Sequence, residues 1–421
     1  MDALLVLTNI GIILLLGILC SLLSKKLRIS NILLLVLLGV VLGRIDYNRE
    51  SLFVFDPSLL IGIGVLALVM IVFDGSSRIR LKEIDALSVS ALRLIGWFML
   101  FSFLVLTSFT TLLFFEGVSL RNILFSIIFA VVVVGTDPAS VFVMLKDFVS
   151  EQAKKVLGLI QIEAIINTPF IILIPFIILD LVKNLGLGEG SFVSSFISQI
   201  PVFFLQIVVG IGAGIVIGLI VFKTMQKAYS HQLSPVGIIT ATILAYVLAE
   251  NLGGNGVLAV ATLGLVFGNL YVKEKLQLQE FNYMLSNALE ILVFVLVGLI
   301  INIPFELSFI LKSLFLFGLL VLCRTAAVFL ALKKSDYSAK EKVFMSLNMP
   351  KGIAVAVVAF TLALYNVPEM SIILNLILSF VIYSLLLSSV IDRLSKKFIR
   401  VKVESSEEDN IPHPKLRKKT P

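Results

Sequence analysis

Two histidines and two cysteines in 421 residues leave little material for a soluble active site. His231 and His413 fall in a loop and in the C-terminal tail, which removes a histidine-built metal centre. Cys20 and Cys323 each sit inside an apolar run, so no disulfide framework is implied. Charged residues make up only 14% of the chain, and one tryptophan stands against 32 phenylalanines. The glycine-rich stretch Asn251-Leu-Gly253-Gly254-Asn255-Gly256 is followed by no Gly-Lys-Ser/Thr, so it reads as a tight turn and not a phosphate loop. No nucleophile–base pair emerges, which argues against an enzyme. Met1-Asp2-Ala3 lacks the positive start of a signal peptide, so the first apolar run is read as a membrane helix.

What is abundant is hydrocarbon. Hydrophobic residues make up 59% of the chain, and the mean hydropathy is +1.08. A soluble domain could not hide that much apolar surface, whereas lipid solvates it. The formal charge of +7 is scattered over short loops and a tail; it does not form the stripe that nucleic acid requires, and the partner implied is the lipid bilayer. Runs long enough to cross about 30 Å of hydrocarbon recur from end to end. They predict an all-α polytopic protein of about 13 transmembrane helices, at 3–23, 30–45, 57–74, 88–115, 121–145, 155–181, 196–222, 235–250, 254–270, 285–303, 307–332, 341–365 and 371–393. Residues 1–398 then form the transmembrane domain, and 399–421 form a charged tail.

Charge bias tests that count. Odd-numbered loops carry Lys25, Lys26, Arg28, Arg78, Arg80, Lys82, Lys146, Lys154, Lys155, Lys223, Lys227, Lys273, Lys275, Lys333, Lys334, Lys340 and Lys342. Even-numbered loops hold only Arg44, Arg49, Arg121 and Lys183. Lysine and arginine collect on the cytoplasmic side, so the N-terminus is expected outside the cell membrane and the tail inside. An odd number of spans demands the same arrangement.

Two spans are interrupted at comparable depth. Span five contains Gly135-Thr136-Asp137-Pro138, and span twelve contains Asn348-Met-Pro350-Lys351-Gly352. They lie seven spans apart, an odd number, so their orientations are opposite. The pattern is that of inverted repeats, spans 1–6 against 8–13, with span seven as connector and two broken crossing helices. Backbone freed by proline and glycine must face protein or water, because lipid cannot satisfy it. The glycines at 210, 212, 214 and 218 in span seven predict close helix packing.

Ionisable groups at membrane depth are few: Asp137, Glu163, Arg324 and Lys351, with Asp74 and Glu290 nearer span ends. Each costs at least ~2.5–3.5 kcal/mol to insert, so each is expected to be paired or functional. Asp137 is the first candidate for an exchanging group, because one carboxylate binds a hard cation or a proton but not both comfortably. Its plainer reading is an N-cap for the second half-helix. Glu163 and Asn167 share a helix face, four residues apart. Glu163 either pairs with Arg324 or takes part in proton or cation binding itself. Asn167 can staple broken backbone or lend an oxygen, and Thr168 adds a hydroxyl. Lys351 either offsets the dipole ends at the second break or titrates in competition with the cation.

These motifs resemble the sodium/proton exchanger group of the monovalent cation:proton antiporter superfamily. Thr136-Asp137-Pro138 is similar to the signature of the family's first broken helix, and Glu163-Ala-Ile-Ile-Asn167 to its Glu-x-x-x-Asn-Asp motif. Arg324 matches the arginine that pairs with that glutamate. Met349-Pro350-Lys351-Gly352 resembles a stretch of the second broken helix, and Phe73-Asp74-Gly75 a short motif ending the third span. The resemblance spans about residues 3–393. It implies a dimerising panel and a moving core, a homodimer, and sodium or potassium exchanged for protons, with no resident cofactor and no metal beyond the transported cation. In that reading Asp137, Thr136, Thr168, Asn167 and Glu163 bind and exchange, while Arg324 and Lys351 supply structural charge. The sequence departs from the family at Thr168, where an aspartate is expected, and at Lys351, where an arginine is expected. A hydroxyl cannot carry the exchanged proton. Either Asp137, alone or with Glu163, has taken over the exchange with Thr168 as a neutral oxygen ligand, or the chain is a transport-inactive sensor, or it is a carrier or channel for another ion or an anionic solute.

Overall fold

A computed structural model describes residues 3–27, 31–47, 50–51, 53, 55–78, 81–136, 151–186, 192–227, 229–300, 304, 306–363 and 367–398. Among these the architecture is helical, with one short antiparallel pairing of Asp46–Tyr47 with Glu50–Ser51 in a loop. In chain order the helices are α1 (Ala3–Leu27), α2 (Asn31–Leu42), α3 (Pro57–Ser77), α4 (Leu81–Phe114), α5 (Leu120–Val132), α6 (Glu151–Gly186) and α7 (Phe192–Lys227). They continue with α8 (Leu233–Asn251), α9 (Gly256–Asn269), α10 (Lys275–Ile300), α11 (Leu307–Ala331), α12 (Ala339–Leu347), α13 (Ile353–Leu362) and α14 (Pro368–Phe398). Nine of the described helices are long and apolar enough to cross a membrane. Three shorter apolar ones, α2, α5 and α9, take the places of expected spans two, five and nine. Spans four and ten begin earlier than hydropathy suggests, at Leu81 and Lys275. Their first turns are polar, and hydropathy reads lipid depth, not helix length.

Helix starts are written locally. Asp56 accepts the Ser58 N–H at 2.8 Å ahead of α3, with Pro57 at the first helical position. Ser119 caps α5, and Asn255 accepts the Leu258 N–H at 2.7 Å to open α9. Ser338 and Glu341 form a reciprocal capping box at α12.

Contacts between helix ends show that the spans alternate in direction. Arg121 pairs with Glu369 at 2.8 Å, joining the loops before spans five and thirteen, and the Lys312 ammonium donates to the Leu113 carbonyl at 2.9 Å. At the other ends, Gln226 donates to Tyr271 O at 2.6 Å, Gln279 to Ser77 O at 3.1 Å, and Gln152 to Glu341 at 3.3 Å. Every one of these contacts joins loops of the same parity, as repeated crossing requires. The protein is a multi-pass membrane protein.

The helices pack in two groups. Helices α1–α3 pack with α7–α10, and α4–α6 pack with α11–α14; the groups meet where α13 lies on α3 and α10, α6 on α7 and α9, and α14 on α2. Each half of the chain therefore gives its first three spans to one group and its last three to the other, as an inverted repeat requires. Close approach depends on glycine. A Cβ on Gly39 would stand 2.1 Å from Val295 O, and one on Gly298 2.2 Å from Val36 O, so α2 and α10 touch backbone to backbone. A Cβ on Gly214 would stand 2.2 Å from Ala259 O in α9. Gly212 departs from the expected packing role: nothing lies within 4 Å of its Cβ direction, because it falls on the opposite side of α7.

Candidate functional site

The first break begins where α5 stops. Val132 is its last helical residue, and the amides of Val134 and Gly135 fall back on the Val131 and Val132 carbonyls at 3.2 Å as the helix tightens and ends. The Val134 carbonyl is then left over at a depth where water is not assured. Asn167 of α6 meets it, donating Nδ2–H at 3.1 Å from a fully buried side chain. One turn further along α6, Ile171 closes on Gly135: a Cβ there would stand 2.4 Å from Ile171 Cδ1 and 3.0 Å from Val355 Cγ2. Val355 belongs to the first turn of α13, just past the second break. The two interrupted spans thus touch at their interruptions.

The second break runs between Leu347 and Ile353. The Asn348 amide donates to Phe344 O at 2.9 Å and closes α12. The Lys351 amide donates to the Ser384 hydroxyl of α14 at 3.1 Å, and that hydroxyl donates to Val381 O at 2.9 Å. Two neighbouring spans therefore supply polar atoms to backbone that has left the helix.

Between the breaks lies a buried ion pair. Arg324 Nη1 and Nη2 each stand 2.7 Å from one oxygen of Glu163, and both side chains are 0% exposed. A guanidinium presents its N–H groups in a planar fork that matches both carboxylate oxygens at once. The Arg324 Nε–H reaches Met345 O at 3.5 Å, one of the last carbonyls of α12. Its Cζ lies 4.8 Å from the centroid of the Phe98 ring, and the Lys351 ammonium lies 5.9 Å from the same centroid.

Of the site residues expected from sequence, the structure places Thr136, Glu163, Asn167, Thr168, Arg324 and Lys351 in buried positions. Asp137, with Pro138, lies outside the described residues, as does the tail from 399 on. Thr168 donates its hydroxyl to Ala164 O at 2.8 Å, which leaves oxygen lone pairs for another partner. Thr136 Oγ1 and Asn167 Oδ1 are buried and have no hydrogen-bond partner among the described residues. Two oxygen atoms without donors, one at the break and the other on the residue stapled to it, can serve as neutral ligands for a hard cation.

Three participants carry no signal in the sequence. Phe98 is one of 32 phenylalanines, and Ser384 is an ordinary small residue in an apolar span. Asn282 of α10 donates to the Asp74 carboxylate at 3.3 Å, beside the Arg78–Asp74 pair at 3.0 Å. Asp74 is thus tied into the α3–α10 contact.

The chain has relatives. The family model described as "Sodium/hydrogen exchanger, transmembrane" matches residues 11–395. The K(+)/H(+) antiporter NhaP of Alkalimonas amylolytica is 25% identical over 89% of this chain, which spans 63% of that protein's length. The Na(+)/H(+) antiporter 1 of Methanocaldococcus jannaschii is 26% identical over 86% of this chain and 84% of its own length. The solved sodium proton antiporter of Methanocaldococcus jannaschii at pH 8 superposes with a TM-score of 0.74 at 23% identity, covering 94% of this chain and 98% of that one, and so shares its fold. With the two breaks in contact and the family match running over both of them, the chain belongs to the sodium/hydrogen exchanger family.

Proposed function

We propose that the protein is a secondary antiporter that exchanges a monovalent cation, sodium or potassium, for protons across the cell membrane. The observation that carries this is a pair of buried oxygens with no donor among the described residues, Thr136 Oγ1 and Asn167 Oδ1, at a helix break whose next residue in sequence is Asp137. The carboxylate that Asp137 supplies takes either a cation or a proton, and that exclusion couples the two flows. Thr168 adds a neutral oxygen in place of the family's second carboxylate. Glu163 spends both oxygens on Arg324, so its part is to hold α6 to α11. The ion gradients drive the cycle, and no resident cofactor or further metal is needed.

The loop charges support an outside N-terminus and a cytoplasmic tail, and family membership supports a homodimer. Under alternating access the group carrying both breaks shifts against the group holding α1–α3 and α7–α10.

Dequenching of a pH-sensitive dye in proteoliposomes tests the proposal. Exchange predicts a signal on adding sodium or potassium, abolished by Asp137→Asn. A transport-inactive sensor gives no signal with either cation. A carrier of an anionic solute responds to the anion and depends on Lys351.

A further inference from the structure

Phe98 lies on the inner stripe of α4 with Leu94, Ser102 and Leu106, all 0% exposed. Its ring is shared by two cations from different spans, Arg324 at 4.8 Å and Lys351 at 5.9 Å. The two differ in what else they hold. Arg324 has both Glu163 oxygens and the Met345 carbonyl. The Lys351 ammonium is fully buried and has no hydrogen-bond partner among the described residues.

A buried ammonium with three N–H donors and no acceptor is an unfavourable arrangement, and at membrane depth there is no bulk water to relieve it. The face of an aromatic ring is electron-rich and attracts a cation most strongly where water is excluded. An aliphatic residue of the same bulk would fill the space without that attraction. A loosely held ammonium would also turn to the buried Glu163 carboxylate and compete with the arginine fork.

We infer that Phe98 is a positioning residue: its π face holds the Lys351 ammonium at the second break and keeps it off the Glu163 carboxylate. The inference deepens the exchange reading, since Lys351 would then move with the core. Its principal test is nevertheless independent of transport.

Replacing Phe98 with mono-, di- and trifluorophenylalanine drains the ring face of electron density with little change in bulk, and cyclohexylalanine removes the π system. Thermal unfolding of the purified full chain in detergent is the readout, beside turnover in proteoliposomes. The midpoint is expected to fall stepwise with each fluorine, by about 2–4 °C across the series, with cyclohexylalanine lowest. In a Lys351→Met background the steps should shrink. Turnover should fall in the same order, with the KM for the cation unchanged, because Phe98 touches the lysine and not the transported ion. A flat series, or cyclohexylalanine matching phenylalanine, overturns the inference. Equal steps in the Lys351→Met background also overturn it, because they assign the whole effect to Arg324. A stepwise midpoint in a protein that moves no cation would keep Phe98 in this role and remove the exchange reading instead.

Discussion

Arg324 meets both oxygens of Glu163 at 2.7 Å, and neither side chain reaches solvent. This contact joins α6, which staples the first break, to α11, which reaches the second. Removing one partner strands a buried charge. Glu163→Gln or Arg324→Leu should each destabilise the protein by about 3–5 kcal/mol, while the double replacement by apolar residues of similar volume should recover much of the loss. Thermal unfolding in detergent measures both. Single variants that unfold like the parent would mean the pair bears no load.

Asn167 gives its amide to the Val134 carbonyl at 3.1 Å. Asn167→Leu leaves that carbonyl buried without a partner, at a cost of about 1–3 kcal/mol. Hydrogen exchange at the end of α5 should rise in this variant, while α9 and α10, in the other group, stay protected. Uniform loss of protection would point to global unfolding instead.

The glycines of α2 and α7 sort by what faces them. Gly39→Ala drives a methyl into Val295 O, and overpacking of that kind costs about 1–3 kcal/mol. Gly212→Ala, with nothing within 4 Å, should stay within about 0.5 kcal/mol of the parent. The contrast is read from unfolding midpoints. A similar effect at both positions would contradict the packing described.

Much of this architecture is legible in the sequence because lipid imposes simple rules. Apolar length marks the spans, and Gly135 and Pro350 with Gly352 mark the breaks. The scarcity of charge at membrane depth singles out Glu163 and Arg324, which stand together in the structure. Other features are invisible for equally physical reasons. Phe98 is recognisable only by its neighbours, since a lipid-facing phenylalanine and a cation-holding one look alike in sequence. Ser384 matters because it lies opposite the Lys351 amide, a relation set by tertiary packing. The polar first turns of α4 and α10 are helical beyond the apolar run, so hydropathy alone trims them.

Thr168 is buried one residue past Asn167, and its hydroxyl keeps lone pairs free after donating to Ala164 O. As a neutral oxygen ligand its loss should weaken cation binding more than turnover. Thr168→Val is expected to raise the cation KM by roughly 10-fold, about 1.4 kcal/mol of lost binding. Thr168→Ser should keep the parent value. Transport assays over a range of cation concentrations separate the two parameters. An unchanged KM in Thr168→Val would take this residue out of the site.

The idea that one carboxylate holds either a cation or a proton is tested most directly by the cation KM as a function of pH. For one proton competing with one cation, KM should rise about tenfold for each unit of acidification below the carboxyl pKa, at constant maximal rate. A KM independent of pH, with only the maximal rate changing, would show that proton and cation do not share Asp137.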